Sequence, residues 1–322
     1  MKTNYLTLQE TADRLMSVDR ILLLAHQYPD GDAIGSCVGL ALALQSLGKQ
    51  ARVMCNDVIP DKYSYMTDTL RPDEFEPGFI CAVDVADPKL LGPAMQEFAE
   101  RVDLCIDHHG TNVAYAKETL LDADCAAAAM LIFRLLPVMG VKLTAPIAQC
   151  LYTAMATDTG CFKYGNTSAE THRMAAACID CGIPYEEINR SMFDIKSRAR
   201  LELERRALQD IRFYYHNRCA VMTITNQMVK ESGAGENDLE GLPPLPRQIE
   251  GVWAGVTLRE KADGSFKISL RTGRHANAAD ICKVLGGGGH AAAAGCTIAL
   301  PLNEAIEKIV AVIGEVTPRI RD

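Results

Sequence analysis

His26, Asp30 and Asp32 fall within the run His-Gln-Tyr-Pro-Asp-Gly-Asp, where Pro29 and Gly31 permit a tight turn. One imidazole and two carboxylates can then converge on one small volume. Asp-Gly-Asp alone is common turn chemistry and would be read as a capped helix start. Three more positions weaken that reading: Asp84 after the apolar run Phe79–Val83, Asp107-His108-His109 after Val102–Ile106, and Asp158 in Ala-Thr-Asp-Thr-Gly. Carboxylates and imidazoles without thiolates suit hard-to-borderline divalent ions, Mn²⁺ or Mg²⁺. Asp30, Asp32, Asp84 and Asp158 would bring four negative charges together, which two divalent cations neutralise and a single ion does not.

The elements around these residues alternate. Thr7 with Glu10 forms a capping box that starts a helix over Leu8–Ser17, and the β-rich run Ile21–Ala25 follows. After the polar loop 26–32, Ile34–Gly48 carries apolar residues at helical spacing, and Ala51–Cys55 completes a βαβ unit. With Phe79–Val83 and Val102–Ile106 repeating the strand pattern, the expected α/β fold is a parallel sheet with helices on both faces. The acidic loops then lie at the carboxyl ends of strands, where such sheets bind ligands. Asp124 is expected to cap a helix over Cys125–Met139, and Pro146–Thr157 to form another that runs into Asp158. From Ser168 to Leu208 the pattern is helical, broken at Pro184, and strand-like runs return at Ile211–His216, Cys219–Thr225, Trp253–Arg259 and Phe266–Arg271. The expected organisation is a catalytic domain over 1–190, a linker helix over 191–210 and a smaller α/β domain over 211–322.

Composition bounds the function. The 322 residues carry 33 Lys and Arg against 41 Asp and Glu, a net charge of −8, and 48% are hydrophobic. An acidic chain is a poor coat for long nucleic acid, which is held by many phosphate-neutralising cations. A small phosphorylated ligand in a pocket is not excluded. Twelve cysteines, mostly inside apolar runs, read as reduced thiols of a cytoplasmic protein, and Cys178 with Cys181 reads as core packing. The longest early apolar run, Ile21–Ala25, is too short to span a membrane, and no secretory signal precedes it. With 6% aromatic residues and no alternation of basic and aromatic positions, sequence-specific RNA recognition is not expected, and Trp253 reads as packing. Lys196–Arg218 carries a net charge of +4, either a solvated helix or a wall facing phosphate.

Gly286-Gly287-Gly288-Gly289-His290 follows a helical stretch, Ala278–Leu285. Amides free of side-chain bulk at Gly287, Gly288 and Gly289 can approach a phosphate closely. His290 is positioned to bond a terminal phosphate or similar group, and Arg271 at a strand end to pair with it bidentately. Arg247–Lys283 has a net charge of +3, so the smaller domain is locally basic. Arg274, His275 and Asn277 read as loop surface.

In their order along the chain these residues resemble the DHH phosphoesterases. His26-x-x-x-Asp30-Gly31-Asp32 with Ile34-Gly35-Ser36 is similar to the family's first motif, Asp84 to its second, Asp107-His108-His109 to the motif that names it, and Asp158 to its fourth. The glycine run with His290 and Ala293-Ala294-Gly295 resembles the DHH-associated nucleotide-binding domain. Ala291 and Ala292 depart from the family, which often places a basic or polar residue there, and this bears on substrate length or base preference.

The resemblance implies a DHH catalytic domain joined to a DHH-associated substrate-binding domain. It implies two divalent cations, Mn²⁺ ahead of Mg²⁺: His26, Asp30 and Asp84 hold one, and Asp32, Asp84, His108 and Asp158 the other, with Asp84 bridging. His109 is then a phosphate contact or proton donor at the leaving oxygen, and Asp107 orients an imidazole from behind. The branch that it is most similar to implies hydrolysis of short oligoribonucleotides to mononucleotides and release of the 3′-phosphate of phosphoadenosine phosphate. The nearest alternative is a phosphodiesterase of cyclic di-AMP or its linear product. A pyrophosphatase is a poor third, and a non-catalytic nucleotide-binding protein is the rival from a different class. Partners are expected to be short oligoribonucleotides or small nucleotides, without long duplexes or membranes, and a homodimer is allowed for.

Overall fold

The computed structural model describes residues 3–239 and 241–322, which divide into two units at the boundary between Ile195 and Lys196. The first is built on six parallel strands, β1 (Asn4–Tyr5), β2 (Ile21–Leu24), β3 (Ala51–Met54), β4 (Phe79–Val83), β5 (Leu104–Asp107) and β6 (Glu118–Leu121), in the order β1-β6-β5-β4-β2-β3. Period-two alternation divides the strand side chains between two cores. Ile21, Leu23, Cys81, Val83, Leu104 and Ile106 belong to the larger, under α1 (Leu8–Ser17), α2 (Gly31–Ser46), α3 (Ala128–Val138) and α4 (Ala145–Asp158). Leu22, Leu24, Ile80, Ala82 and Cys105 belong to the smaller, under the short turns that carry Leu91, Met95 and Phe98. The helical cover is therefore lopsided, with the long helices on one face.

The chain steps from β2 outward to β3 and then back to β4 on β2's other side. That reversal is a topological switch point, and it opens a crevice at the carboxyl ends of β2 and β4.

The second unit has a mixed sheet: β7 (Arg212–Tyr214), β8 (Cys219–Ile224), β9 (Ala254–Glu260), β10 (Phe266–Thr272), β11 (Gly288–Gly289) and β12 (Ala293–Ile298), in the order β11-β12-β10-β9-β8-β7. Only β8 and β9 run parallel. The stretch expected to link the domains contains a helix, Arg198–Gln209, whose Leu203 and Ala207 are buried against Met222 and Ile224 of β8. Of its basic residues, Arg200, Arg205 and Arg206 pair with Glu202, Glu204 and Glu231, and Lys196 just before it pairs with Glu204. Those paired charges do not form an open wall for phosphate. All twelve cysteines are free. Among the described residues no helix is long and apolar enough to cross a membrane.

Candidate metal centre

Each ligand-bearing residue sits at a strand or helix end for a local reason. Asp30 is the N-cap of α2, and its Oδ1 accepts the N–H groups of Asp32 (3.1 Å) and Ala33 (3.0 Å). Asp32 is 1% exposed and ties together distant parts of the chain. Its Oδ1 accepts the Ser36 hydroxyl (2.8 Å) and the Ala129 N–H (3.1 Å), and its Oδ2 accepts the Ala128 N–H (2.6 Å). The expected cap from Asp124 is therefore corrected: α3 starts at Ala128, and the carboxylate at its N-terminus comes from Asp32, 96 residues earlier.

Asp158, the last residue of α4, reaches the same place because α2 and α4 approach closely. Gly31, Gly35 and Gly39 recur every four residues and so share one face of α2. A Cβ at Gly35 would stand 2.5 Å from the Cys150 carbonyl oxygen, and one at Gly31 2.3 Å from Thr157 Oγ1. Sequence reasoning missed this device, although the four-residue glycine spacing was its signal. Asp84 follows β4 at φ +62°, a left-handed conformation that an aspartate tolerates better than most residues.

The side chains converge. His26 Nε2 lies 3.7 Å from Asp30 Oδ1 and 3.8 Å from Asp84 Oδ2. His108 Nε2 lies 3.3 Å from Asp84 Oδ1 and 3.6 Å from both Asp32 Oδ2 and Asp158 Oδ2. His26, Asp30 and Asp84 can bring ligand atoms within 4.8 Å of one another, as can Asp32, His108 and Asp158, and as can Asp84, His108 and His109. Asp84 Oδ1 is buried and, among the described residues, has no hydrogen-bond partner.

This donor set fits cations. Nδ1 of His26 is 2.8 Å from the Gln27 carbonyl oxygen and Nδ1 of His108 is 3.1 Å from that of Cys125, so each Nδ1–H donates to the backbone. The neutral rings then turn Nε2 lone pairs toward carboxylate oxygens, an arrangement that needs a positive charge between them. Without an ion a proton serves. Burial opposes a charged His26, but Asp30 and Asp84 outweigh it and lift the ring to about 9. Burial likewise opposes a charged His108, and Asp84, Asp32 and Asp158 lift it to about 10. The carboxylates move upward too: burial and the Asp32 charge push Asp84 to about 7 and Asp158 to about 8. So many groups displaced toward their protonated forms mark a site short of positive charge.

Asp107, 0% exposed, is tied to His109. Its Oδ1 accepts from His109 Nδ1 (2.8 Å) and from the backbone N–H groups of His108 (2.8 Å) and His109 (3.2 Å), while Oδ2 accepts from Asn112 (2.6 Å). The Asp107 hydrogen bond raises the His109 pKa, against some cost of burial. Asn112 did not stand out in the sequence, having no signal beyond its place five residues after Asp107.

The candidates in the second unit gather at one end of its sheet. Arg271 is in register with Ala293 of β12 and Gly255 of β9, and exposed His290 closes the turn into β12 through its N–H to Ala293 O (2.7 Å). A Cβ on Gly287 would meet Gly295 O at 2.1 Å and one on Gly289 would meet Ala293 O at 2.6 Å, whereas Gly288 faces open space. Ala291 O accepts the Ala278 N–H (2.7 Å) and the Thr272 hydroxyl (2.8 Å), so the loop is pinned through its backbone.

A parallel sheet that gathers acidic and imidazole donors able to hold a metal at its switch point, followed by a smaller mixed-sheet domain with a glycine-histidine turn, is the architecture of a phosphoesterase. The chain belongs to the DHH family of phosphoesterases: the DHH family N-terminal domain matches residues 20–155 and the DHHA1 domain residues 218–317. The chain is 32% identical to a bifunctional oligoribonuclease and PAP phosphatase of Thermus thermophilus, over 92% of this chain and 89% of that one. The corresponding Bacillus subtilis protein is 23% identical over 87% and 90%. A solved exopolyphosphatase-related protein from Bacteroides fragilis superposes with a TM-score of 0.87 at 26% identity, covering 98% and 97% of the two chains.

Proposed function

We propose that this chain is a phosphodiesterase that uses two divalent cations, Mn²⁺ ahead of Mg²⁺, to hydrolyse short oligoribonucleotides to mononucleotides. Removal of the 3′-phosphate of phosphoadenosine phosphate is a second activity of the same site. The observation that carries the reading is the buried Asp84 carboxylate, whose Oδ2 faces His26 Nε2 and whose Oδ1, without a hydrogen bond among the described residues, faces His108 Nε2. His26, Asp30 and Asp84 would hold one ion, and Asp32, Asp84, His108 and Asp158 the other. When bound, such ions supply an activated water and neutralise charge developing on phosphate oxygens. The protein's part is to fix the donors. Asp32 is locked by three hydrogen bonds and both imidazoles by backbone carbonyls, so the ligand atoms need little rearrangement. His109, held through Nδ1 by Asp107, keeps Nε2 for a substrate oxygen and serves as phosphate contact or proton donor to the leaving group. Arg271, His290 and the amides of Gly287, Gly288 and Gly289 would bind the substrate's end group. The activities for which the Thermus and Bacillus relatives are named support the substrate class.

Turnover of di- to pentanucleotide RNA, a 24-nucleotide RNA, phosphoadenosine phosphate, cyclic di-AMP and pyrophosphate, with Mn²⁺ and with chelator, tests the proposal. Metal-dependent release of mononucleotides, fastest from the shortest RNAs, is the expected result. Faster cleavage of cyclic di-AMP would replace the substrate assignment. Tight binding of a nucleotide without turnover of any compound would make the chain a binding protein.

A further inference from the structure

Trp253 is the chain's single tryptophan, and its indole has two close neighbours, Arg218 and His275. The Arg218 guanidinium carbon lies 4.5 Å from the ring centroid on a cation–π contact, and the His275 imidazole stacks at 4.5 Å with the planes 25° apart. His275 Nε2 accepts a hydrogen bond from Arg274 Nε (3.1 Å), which fixes the ring's rotation. Arg218 is anchored in turn, its Nη1 donating to the Arg319 carbonyl (3.1 Å), and the Trp253 backbone is clamped by N–H to Arg218 O (2.7 Å) and by C=O to the Gly273 N–H (3.1 Å). His275 is nevertheless exposed. A flat aromatic ring is therefore held rigid on one face and presented to solvent on the other.

Its place in the sheet matters. Trp253 immediately precedes β9, Gly273–Ala276 follows β10, and Thr272 N–H bonds Ala292 O (2.9 Å) beside the His290 turn. The His275 stack, Arg271 and His290 thus share one end of the same sheet, on strands spaced about 5 Å apart. A phosphate-binding end group beside a preassembled π surface matches the two halves of a nucleotide. Nucleobases stack on aromatic rings largely without regard to sequence, which accords with a chain that shows no base-reading motif.

We infer that the outer face of His275, backed by Trp253 and Arg218, is a nucleobase platform that stacks the base of the nucleotide whose phosphate Arg271 and His290 hold. The inference deepens the proposed function and rests on it for the substrate's identity. His275 lies in an exposed turn, as expected of loop surface, and the platform gives that surface a role; Trp253 packs as expected, here as the support of a binding surface. An imidazole platform offers area without purine or pyrimidine discrimination, so affinity should depend on the presence of a base more than on which base.

The lone tryptophan gives a readout independent of turnover. Titrating the intact protein with AMP should change Trp253 emission saturably, while ribose 5-phosphate, which has the phosphate without the base, should bind at least about tenfold more weakly. His275→Ala should weaken AMP binding by about tenfold and His275→Phe should restore it, with ribose 5-phosphate unaffected by either. On a diribonucleotide, His275→Ala should raise KM and leave kcat unchanged. Equal binding of AMP and ribose 5-phosphate, or an equal loss for both in His275→Ala, would overturn the platform. If AMP binding shows the base dependence but no oligoribonucleotide is cleaved, the platform stands and the proposed reaction fails.

Discussion

Asp32, Asp84 and Asp107 at the first sheet's edge are at most 3% exposed, whereas Gly288, His290 and His275 at the second sheet's end are open to solvent. A carboxylate in a dry site needs a cation or a dense set of N–H donors, and Asp32 and Asp107 have the donors while Asp84 has an oxygen without one. Burial strengthens whatever charge arrives there. On the proposed reading the exposed end would work by contact area and reversible charge pairing, which suits ligands of different lengths. Losses in the first region should therefore fall on kcat, and losses in the second on KM.

The largest effect is expected at Asp84. Asp84→Asn keeps the shape and tolerates φ +62°, yet removes the charge shared by two ligand groups. Turnover with saturating Mn²⁺ should fall on the order of 10³-fold or more, and calorimetry should find fewer ions bound. Metal-free thermal stability should hold or rise, since a desolvated charge is gone. Full activity in this variant would end the two-ion assignment.

Removing the metal comes next. A protein whose native state alone binds Mn²⁺ gains about 2.7 kcal/mol when the free ion is at 100 times its Kd, so chelator should lower Tm by several degrees. The sign of the pH dependence follows from His26 at about 9 and His108 at about 10. Both rings carry protons at neutral pH in the metal-free protein, and an ion must displace them. Mn²⁺ affinity should rise from pH 6 to pH 8 and fall on acidification, with proton release on binding. A flat profile would mean that one or both rings are not ligands.

Asp107→Asn should cost about 10- to 100-fold in kcat, because the acceptor that orients His109 Nδ1 is lost while the ligand groups stay intact. An unchanged kcat would make Asp107 a purely structural anchor for the turn after β5. In the second region Arg271→Ala and His290→Ala should raise KM by about tenfold with kcat unchanged. A fall in kcat alone would move them out of substrate capture.

What the sequence reveals about these regions depends on how local each cause is. The strands β2, β4 and β5 are legible because fully buried parallel strands read as apolar runs, and the acidic residues at their ends stand out by contrast. β1 and β6 are not, since Asn4–Tyr5 is two residues long and Glu118–Leu121 begins on a glutamate. The start of α3 is hidden because its cap comes from Asp32, far away in the chain, while Asp124 offers an ordinary local signal. The Trp253 and His275 stack is illegible for the same reason, since residues 22 apart meet only through the pairing of β9 with β10.

Glycines give the finest version of the comparison. Gly35→Ala sets a methyl 2.5 Å from the Cys150 carbonyl at the contact that brings Asp158 to Asp32, and should cost about 1–3 kcal/mol, offset in part by better helix propensity. Gly287→Ala meets the Gly295 carbonyl at 2.1 Å and should also lower Tm, so its glycine is explained by packing alone. A methyl on Gly288 would have nothing within 4 Å of it, and Gly288→Ala should leave Tm within about a degree. Any rise in KM in that variant then reports a ligand backbone approach that no protein atom requires. An unchanged KM would confine phosphate recognition at this end to Arg271 and His290.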